Sequence, residues 1–412
     1  MRVIDYRKIL RRRTRRERRR KLFYILLVLF LVASTLGLNY LRPLPTLKSA
    51  KPLGISLLNA PLAFSWPAKG QAAMGAMGYG VLDENPNQKP VPTASLAKVM
   101  TAVMVLKKYP LALDQPGPTI TIRQSDVDIY YHYIEVQGSV IPVDVGEELS
   151  EYQALQALLL PSANNVADTL AVWAYGSMDN YLAAANKYAD ELGLDNTQIV
   201  DASGFSAQTV STAHDMVILG EKAMESPVLA KIVGLRSASL PVVGEVSNTN
   251  MLLGDKGVIG IKTGHTEQAG GCYLFAAERK LPGGNKVTVV GAVMGTVELK
   301  ATFDVASALL SRTYHGFKEV EVVKAGQKIG SYSSPWHGNS ELVAQDSLNV
   351  VAWMPKTPKI DIQISSERAP LASGSKVGKI VVDSAYSKSE VSIVLKDNII
   401  EPSKWWRIFR IF

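Results

Sequence analysis

The sequence has one cysteine and five histidines in 412 residues. The single cysteine, Cys272, cannot form an intrachain disulfide, and its setting in "GGCYLF" favours a small residue packed in a strand. No two histidines stand at an i, i+4 spacing and no HExxH motif occurs, which is evidence against a zinc hydrolase. The chain is therefore stabilised by burial, for which 47% hydrophobic residues in a chain of this length suffice.

The sequence also has little basic character beyond its first residues. The net charge is +8, but residues 1–21 alone carry twelve Arg or Lys against Asp5 and Glu17. The remainder therefore has a net charge of about −2 and implies no basic face. We expect no nucleic-acid partner.

The basic arm, residues 1–21, is followed by the apolar run "LFYILLVLFLVASTLGLNYL", residues 22–41. About 20 apolar residues make about 30 Å of helix, which is enough to cross a bilayer. Basic residues before the span predict a cytoplasmic N-terminus and an extracytoplasmic body. A cleaved signal peptide is the alternative, but the run is long for one and no clear A-x-A site follows. We expect an uncleaved, single-pass anchor in the cell membrane.

Composition divides the rest of the chain into segments. Residues 42–65 are rich in proline and predict an extended linker. Residues 66–317 contain a strand, then helices, then three consecutive strands and a helix, which predicts an α/β (α+β) body. Its sheet should be antiparallel, with the first strand beside the last three and the helices segregated. Residues 318–400 contain short Val/Ile-rich runs between Gly, Pro and Ser, typical of a small all-β domain.

The tail, residues 401–412, is amphipathic. It predicts an interfacial helix that lies on the outer membrane surface, and the alternative is a helix that docks on the β domain. The apolar positions, at i, i+3, i+4 and i+7, are Trp405, Ile408, Phe409 and Phe412, and the opposite face carries Arg407 and Arg410.

The stretch "PVPTASLAKVMTAVMVL" places Ser95 and Lys98 three residues apart at the start of a predicted helix. With Thr93 as the cap, both side chains share one helix face. A lysine takes the serine proton only when neutral, so burial or a second cation must lower its pKa from about 10.4. The spacing alone is weak evidence, because Ser373 and Lys376 repeat it in the glycine-rich "ASGSKVG".

Two further fragments strengthen the case for chemistry at Ser95. "LLLPSANNVAD" places Ser162 and Asn164 in a break between two predicted helices, and "GVIGIKTGHTEQAGG" ends a strand with Lys262-Thr263-Gly264. Each has a structural alternative: Ser162 could cap the next helix, and Lys262 could be an edge-strand charge. Chance does not easily supply all three fragments in this order and in these contexts.

Together S-x-x-K, S-x-N and K-T-G resemble the motifs of a low-molecular-mass penicillin-binding protein, a serine-type D-alanyl-D-alanine carboxypeptidase. Further text agrees: "DASGFS", "STAHDM", "NTNMLL" and "AGGCYLFAAER". The likeness covers about residues 66–317, and the β domain is similar to the C-terminal domain of many members. The resemblance implies a penicillin-binding/β-lactamase-like fold with a helical subdomain beside an antiparallel sheet.

The resemblance also implies a role for each matching residue. The implied catalytic residues are Ser95 as nucleophile, Lys98 as base and Ser162 as the group that passes a proton to the leaving amine. The implied substrate-binding residues are Asn164, Lys262, Thr263, Gly264 and, through its backbone N–H, His265. The implied substrate is a peptidoglycan stem peptide ending in D-Ala-D-Ala, β-lactams are the implied covalent inhibitors, and neither a metal nor a cofactor is required.

One departure from the family pattern bears on specificity. Members often place an arginine near the start of the last helix, where this chain reads "TVELKATFD" and Lys300 is the nearest cation, without a bidentate fork. A DD-endopeptidase or transpeptidase acting on cross-links is therefore an alternative to a carboxypeptidase. A β-lactamase needs a well-placed base for fast deacylation, and this sequence shows no convincing acid motif for one. The non-enzymatic alternative is a penicillin-binding-like module that binds the cell wall.

Overall fold

The computed structural model describes residues 6–50, 52, 54–55, 61–356, 358–384 and 388–410. Within them the helices are α1 (Tyr6–Leu41), α2 (Ala97–Lys108), α3 (Gln124–Glu135), α4 (Glu151–Leu159), α5 (Asn164–Tyr175), α6 (Met178–Glu191), α7 (Ala213–Met224), α8 (Pro227–Val233), α9 (Leu299–Gly316) and α10 (Lys404–Phe409). The strands up to the last long helix are β1 (Lys48–Ser49), β2 (Gln71–Ala76), β3 (Gly80–Glu84), β4 (Val91–Pro92), β5 (Thr119–Thr121), β6 (Glu148–Ser150), β7 (Val210–Ser211), β8 (Ser237–Leu240), β9 (Gly244–Ser247), β10 (Val258–Thr266), β11 (Gly270–Lys280) and β12 (Lys286–Thr296). The strands after it are β13 (Phe317–Val323), β14 (Lys328–Ser334), β15 (Gly338–Ala344), β16 (Leu348–Trp353), β17 (Lys359–Ile364), β18 (Lys376–Asp383) and β19 (Lys388–Leu395).

The central sheet has five antiparallel strands in the order β10-β11-β12-β2-β3. The first long strand, β2, lies beside β12, with Ala72 opposite Val293, as the order of strands in the sequence predicted. Strands β11 and β12 read as nearly continuous apolar runs because both faces of the sheet are buried. Neighbours such as Leu274 and Phe275 therefore enter different hydrophobic clusters, one under the helical subdomain and one under α9.

The helical subdomain packs around α2, whose residues from Ala97 to Val105 are all buried. Helices α4 and α5 flank it and are separated by a short break at Leu160–Ala163. Edge strand β10 contacts the turn that precedes α2. This arrangement, an α/β body with an antiparallel sheet and a helical subdomain, places the break, the start of α2 and β10 around one point.

The C-terminal region is all-β, as predicted. Six strands form a sheet in the order β1-β14-β15-β19-β18-β17, and β13 pairs with β16. Strand β1 belongs to the predicted linker: Lys48 lies opposite Ser333, and Leu44 and Leu47 are buried in the core of this region. Residues 44–50 therefore do not extend freely, because these two leucines remove apolar surface from water only by packing on the sheet.

Helix α1 runs from Tyr6 into the apolar segment, and its part Arg15–Leu41 is long and apolar enough to cross a membrane, with none of its apolar window buried in the protein. In the tail, Trp405 and Phe409 are exposed and stack on each other at 5.8 Å, as an interfacial face requires. The prediction for Arg410 was wrong. It is 7% exposed, and its guanidinium donates to the carbonyl of Asn39 (2.9 Å), so the tail packs against the end of α1. Phe412 lies outside the described residues.

Candidate active site

Ser95 lies in a short 3-10 turn, Ala94–Leu96, and α2 begins directly after it. The prediction that Thr93 caps this helix was wrong: its backbone is already helical, and its hydroxyl donates to the carbonyl of Ala94 (3.1 Å) instead of accepting from the helix. The turn begins through a backbone bond from Leu96 N to the carbonyl of Thr93 (3.3 Å). Ser95 still faces the same side of the element as Lys98, one turn later.

Lys98 is the centre of the site. Its Nζ lies 2.9 Å from Ser95 Oγ, 2.7 Å from Asn164 Oδ1 and 2.9 Å from the carbonyl of Ser203, and the side chain is fully buried. A neutral amine has two N–H groups, which the amide and carbonyl oxygens satisfy, because neither of them can donate in return. The remaining lone pair then points to the hydroxyl of Ser95, as a base requires.

Burial and a second buried cation favour this neutral form. Burial lowers the pKa of Lys98 well below its usual value, and the charge of Lys262 lowers it further, whereas Asp201 and Asp168 raise it. Lys262 is itself 1% exposed, and burial lowers its pKa to about 7. Its Nζ donates to the carbonyl of Thr263 (3.1 Å). Two buried lysines thus share one site, and burial lowers the pKa of both.

The K-T-G residues lie in the middle of edge strand β10, with Thr263 opposite Tyr273 and Gly264 opposite Cys272. A Cβ on Gly264 would lie 2.9 Å from the backbone N of Ser95, so only glycine lets the strand approach the serine this closely. Cys272 is buried in β11, as predicted. Lys262 is on the edge strand but is not an exposed edge charge, so that alternative was wrong.

The S-x-N residues occupy the break between α4 and α5. Ser162 has φ +68°, a left-handed conformation uncommon for serine, and its buried Oγ has no hydrogen-bond partner among the described residues. It does not cap α5, whose N-cap is Ala163, so the capping alternative was also wrong. Asn164 is the first residue of α5 and reaches Lys98. A strained backbone and an unpaired hydroxyl at one residue are typical of functional positions.

Ser95 and Asn164 border a cleft of about 490 Å³. Its lining comes from the turn at Ser95, the loop after α3, the start of α5, the "DASGFS" loop and the end of β10; the lining residues are Ser95, Val136, Gln137, Gly138, Ser139, Asn164, Gly204, Phe205, Ala207, His265, Thr266, Glu267 and Gln268. His265 therefore lies beside the nucleophile. Lys300 is not among these residues; its side chain is 81% exposed and lies 3.5 Å from Asp304.

Some residues of the site carry no motif signal of their own. Ser203 accepts from Lys98 through its backbone carbonyl, which any residue type could supply. A Cβ on Gly204, which has φ +72°, would lie 1.9 Å from the carbonyl of Ala94. Thr249 shares a hydrogen bond with Thr263 (Oγ1 to Oγ1, 2.7 Å). The text "DASGFS" and "NTNMLL" flagged these two loops without assigning roles. Among the described residues, no group of three or more His, Cys, Asp or Glu could hold a metal ion.

Comparisons with known proteins concern the sequence family and the fold. The sequence family described as D-alanyl-D-alanine carboxypeptidase matches residues 65–297. The chain is 27% identical over 308 residues to D-alanyl-D-alanine carboxypeptidase DacA of Haemophilus influenzae, covering 72% of this chain and 76% of the relative. It is 33% identical over 194 residues to a D-alanyl-D-alanine endopeptidase of Pseudomonas aeruginosa, covering 45% and 59%.

Among solved structures, penicillin binding protein 5 from Haemophilus influenzae superposes with a TM-score of 0.57 at 21% identity, covering 84% of this chain and all (100%) of that one. This likeness supports the fold alone. The family match spans more than half of the sequence, and the matched range contains Ser95, Lys98 and Lys262. The chain therefore belongs to the D-alanyl-D-alanine carboxypeptidase family.

Proposed function

We propose that this protein is a membrane-anchored serine DD-carboxypeptidase that removes the terminal D-alanine from peptidoglycan stem peptides. The observation that carries the proposal is the distance of 2.9 Å between Ser95 Oγ and the Nζ of the fully buried Lys98. A serine beside a lysine with a strongly lowered pKa is an activated nucleophile. Family membership supplies the substrate class, and the β-lactams are the expected covalent inhibitors.

In the first step, Ser95 Oγ attacks the carbonyl carbon between the two terminal D-alanines while its proton moves to Lys98 Nζ. The C–N bond then breaks, and the leaving amine of the last D-alanine takes a proton. Ser162 is well suited to relay this proton from Lys98, because its buried Oγ has no hydrogen-bond partner among the described residues. Water then hydrolyses the Ser95 ester and returns the hydroxyl. A β-lactam follows the first step and leaves a stable adduct.

Substrate binding falls to β10 and α5. Lys262 supplies positive potential behind the cleft, and the Thr263 hydroxyl binds the terminal carboxylate. Gly264 lets the substrate backbone approach the strand, and the backbone N–H groups of Ser95 and His265 bind the oxyanion. Asn164 hydrogen-bonds the substrate peptide in addition to holding Lys98.

The membrane arrangement follows from the two ends of the chain. The basic arm stays in the cytoplasm, α1 spans the membrane, and the catalytic domain is extracytoplasmic. The exposed Trp405–Phe409 pair enters the outer interface beside the end of α1. The corresponding segments are 1–21 (arm), 22–41 (anchor), 42–65 (connection), 66–317 (catalytic domain), 318–400 (β domain) and 401–412 (tail).

A second candidate keeps the acyl-enzyme and changes the substrate: cleavage or formation of cross-links. The observation in its favour is the position of Lys300, which is exposed and paired with Asp304 and does not supply a cation to the cleft. Without such a cation, binding is weakened less for a substrate that has no free terminal carboxylate than for one that has it.

The full chain in detergent separates these candidates. It is incubated with a pentapeptide ending in D-Ala-D-Ala and with a cross-linked dimer, and released D-alanine and monomer are measured. We expect D-alanine release, with Ser95→Ala inactive and still folded. Cleavage of the dimer without D-alanine release, or a newly formed cross-linked product from the pentapeptide, would move the assignment to the cross-link activity. If folded wild-type protein shows neither turnover nor a penicillin adduct, the remaining interpretation is a non-catalytic module that binds the cell wall.

A further inference from the structure

A polar cluster close to Lys98, formed by Tyr133, Asp168 and Ser203, has no role in the mechanism described above. Asp168 lies on α5 one turn after Asn164, so both side chains occupy the same helix face. Asp168 Oδ2 accepts a hydrogen bond from the Tyr133 hydroxyl (3.0 Å), which lies 3.3 Å from Ser203 Oγ. The backbone carbonyl of Ser203 in turn accepts from Lys98 Nζ (2.9 Å). A carboxyl group thus lies close to the base, with Tyr133 and Ser203 between the two.

The surroundings of Asp168 are unfavourable for a carboxylate, because they are buried and leave one of its oxygens without a hydrogen bond. Tyr133, which holds one oxygen, is 6% exposed, and the other oxygen, Oδ1, is buried without a hydrogen-bond partner among the described residues. An unpaired buried carboxylate oxygen costs stability unless a nearby positive charge compensates it. Burial raises the pKa of Asp168 to about 7, while the hydrogen bond from Tyr133 lowers it. Its ionised form therefore depends on the hydrogen bond from Tyr133 and on the nearby charge of Lys98.

The charges that face this carboxyl come from several elements. Lys98 on α2 favours its ionised form and Asp201, in the loop before Ser203, opposes it. Tyr133 on α3 donates to it, and the hydroxyl of Tyr181 on α6 is within its electrostatic reach. Lys262 on β10 also acts on Lys98. Lys98 is thus subject to one cation that lowers its pKa and to two carboxyl groups that raise it.

We propose that Asp168 is a positioning residue for the acyl transfer: its carboxylate, oriented by Tyr133, stabilises the ammonium that forms on Lys98 when Ser95 gives up its proton. The proposal rests on the function proposed above. Lys262 keeps the resting amine neutral, whereas Asp168 offsets the charge that appears on it during the reaction. No bond to Asp168 forms or breaks, and its proton count does not change in the step.

The test is the pH dependence of acylation in the full chain, measured as the second-order rate constant with a fluorescent penicillin from about pH 5 to about pH 9. Acylation needs neutral Lys98, so the rate falls on the acid side. Asp168→Asn removes a charge that raises the pKa of Lys98. We expect the acid limb to move toward lower pH by roughly half a unit or more, with a lower plateau rate.

Asp126→Asn is the matched control. Asp126 forms the other side-chain contact between α3 and α5, accepting from the Thr169 hydroxyl (2.8 Å), and no effect of its charge on Lys98 is resolved. We expect its acid limb to stay at the wild-type pH. Tyr133→Phe keeps the carboxyl and removes the donor that favours its ionised form, so its limb should move in the same direction as that of Asp168→Asn.

A limb at the wild-type pH in Asp168→Asn, with acylation still at Ser95, would overturn the proposal while leaving the proposed function intact. Equal displacement in Asp126→Asn would also overturn it, because a general loosening of α3 and α5 would then explain the result. If Asp168→Asn does not fold, as judged by its thermal unfolding, Tyr133→Phe decides alone. A different result would contradict the proposed function itself: covalent labelling of Ser95→Ala by the penicillin.

Discussion

The S-x-x-K spacing occurs in two regions of this molecule, and the two copies differ in everything but spacing. Ser95 and Lys98 sit at a helix start, where the lysine is fully buried among three oxygen atoms. Ser373 and Lys376 lie in the β region, both exposed, and Ser373 Oγ donates to the backbone carbonyl of Lys396 (2.6 Å). The second serine is thus engaged in a turn. Burial and fixed acceptors, and not the spacing, turn a lysine into a base.

The glycines beside the two copies differ in the same way. Gly264 has no strained backbone angle, and its missing Cβ makes room for the backbone N of Ser95. Gly374 has φ +80° with open space around it, so it serves the turn and nothing approaches it. One glycine is needed for proximity and the other for conformation.

The largest expected effect separates the two lysines. Lys98→Gln removes the base, and we expect acylation by a fluorescent penicillin to slow by about 10³-fold. Lys376→Gln changes an exposed strand residue, and its rate should stay at the wild-type value. Comparable losses in both variants would show that burial does not distinguish the copies.

The two glycines should give crossed results. Gly264→Ala places a methyl group 2.9 Å from the backbone N of Ser95 and should slow acylation by about 10²-fold, with little change in the melting temperature. Gly374→Ala forces a left-handed alanine and should destabilise the fold by about 1 kcal/mol without slowing acylation. Thermal unfolding and acylation rates on both variants check this. Slower acylation in Gly374→Ala but not in Gly264→Ala would contradict the roles assigned to the two glycines.

A smaller effect concerns Lys262 and pH. Its protonated form attracts the substrate carboxylate, and its pKa lies at about 7, so binding is strongest below this pH and weakens as pH rises through it. We expect KM for a D-Ala-D-Ala peptide to rise several-fold between about pH 6 and about pH 8. Lys376→Gln should keep this rise and Lys262→Gln should abolish it. A KM independent of pH in the wild-type protein would remove Lys262 from carboxylate binding.

Much of the fold was predictable from sequence because its elements carry local signals. The apolar runs "GGCYLFAAERK" and "NKVTVVGAVMG" became β11 and β12, and the early strand returned beside them as their order required. The attachment of residues 44–50 to the C-terminal sheet was missed, because proline-rich text indicates extension and carries no signal for which sheet edge it joins. Helical periodicity likewise placed Arg410 on the polar face of the tail but could not reveal its partners, which are backbone carbonyls near the end of α1.

At the site, the structure brings Ser95, Lys98 and Asn164 of the predicted motifs into contact, whereas the groups that tune Lys98 were not predictable. Lys98 was expected to need burial or a second cation, and it has both. The carbonyl of Ser203 and the carboxyl of Asp168 come from loops and helix faces joined only by tertiary packing. Spacing along one element reveals neighbours on that element, whereas these contacts cross between elements.

The most direct test of the account is to locate the covalent adduct. The full-length protein is treated with a fluorescent penicillin, digested, and its peptides are analysed by mass spectrometry, with Ser95→Ala and Ser373→Ala treated alongside. The account predicts one modified peptide, carrying the adduct on Ser95 in the wild-type and Ser373→Ala proteins, and no modified peptide in Ser95→Ala. An adduct on another residue, or one that persists in folded Ser95→Ala, would contradict the assignment of Ser95 as the nucleophile.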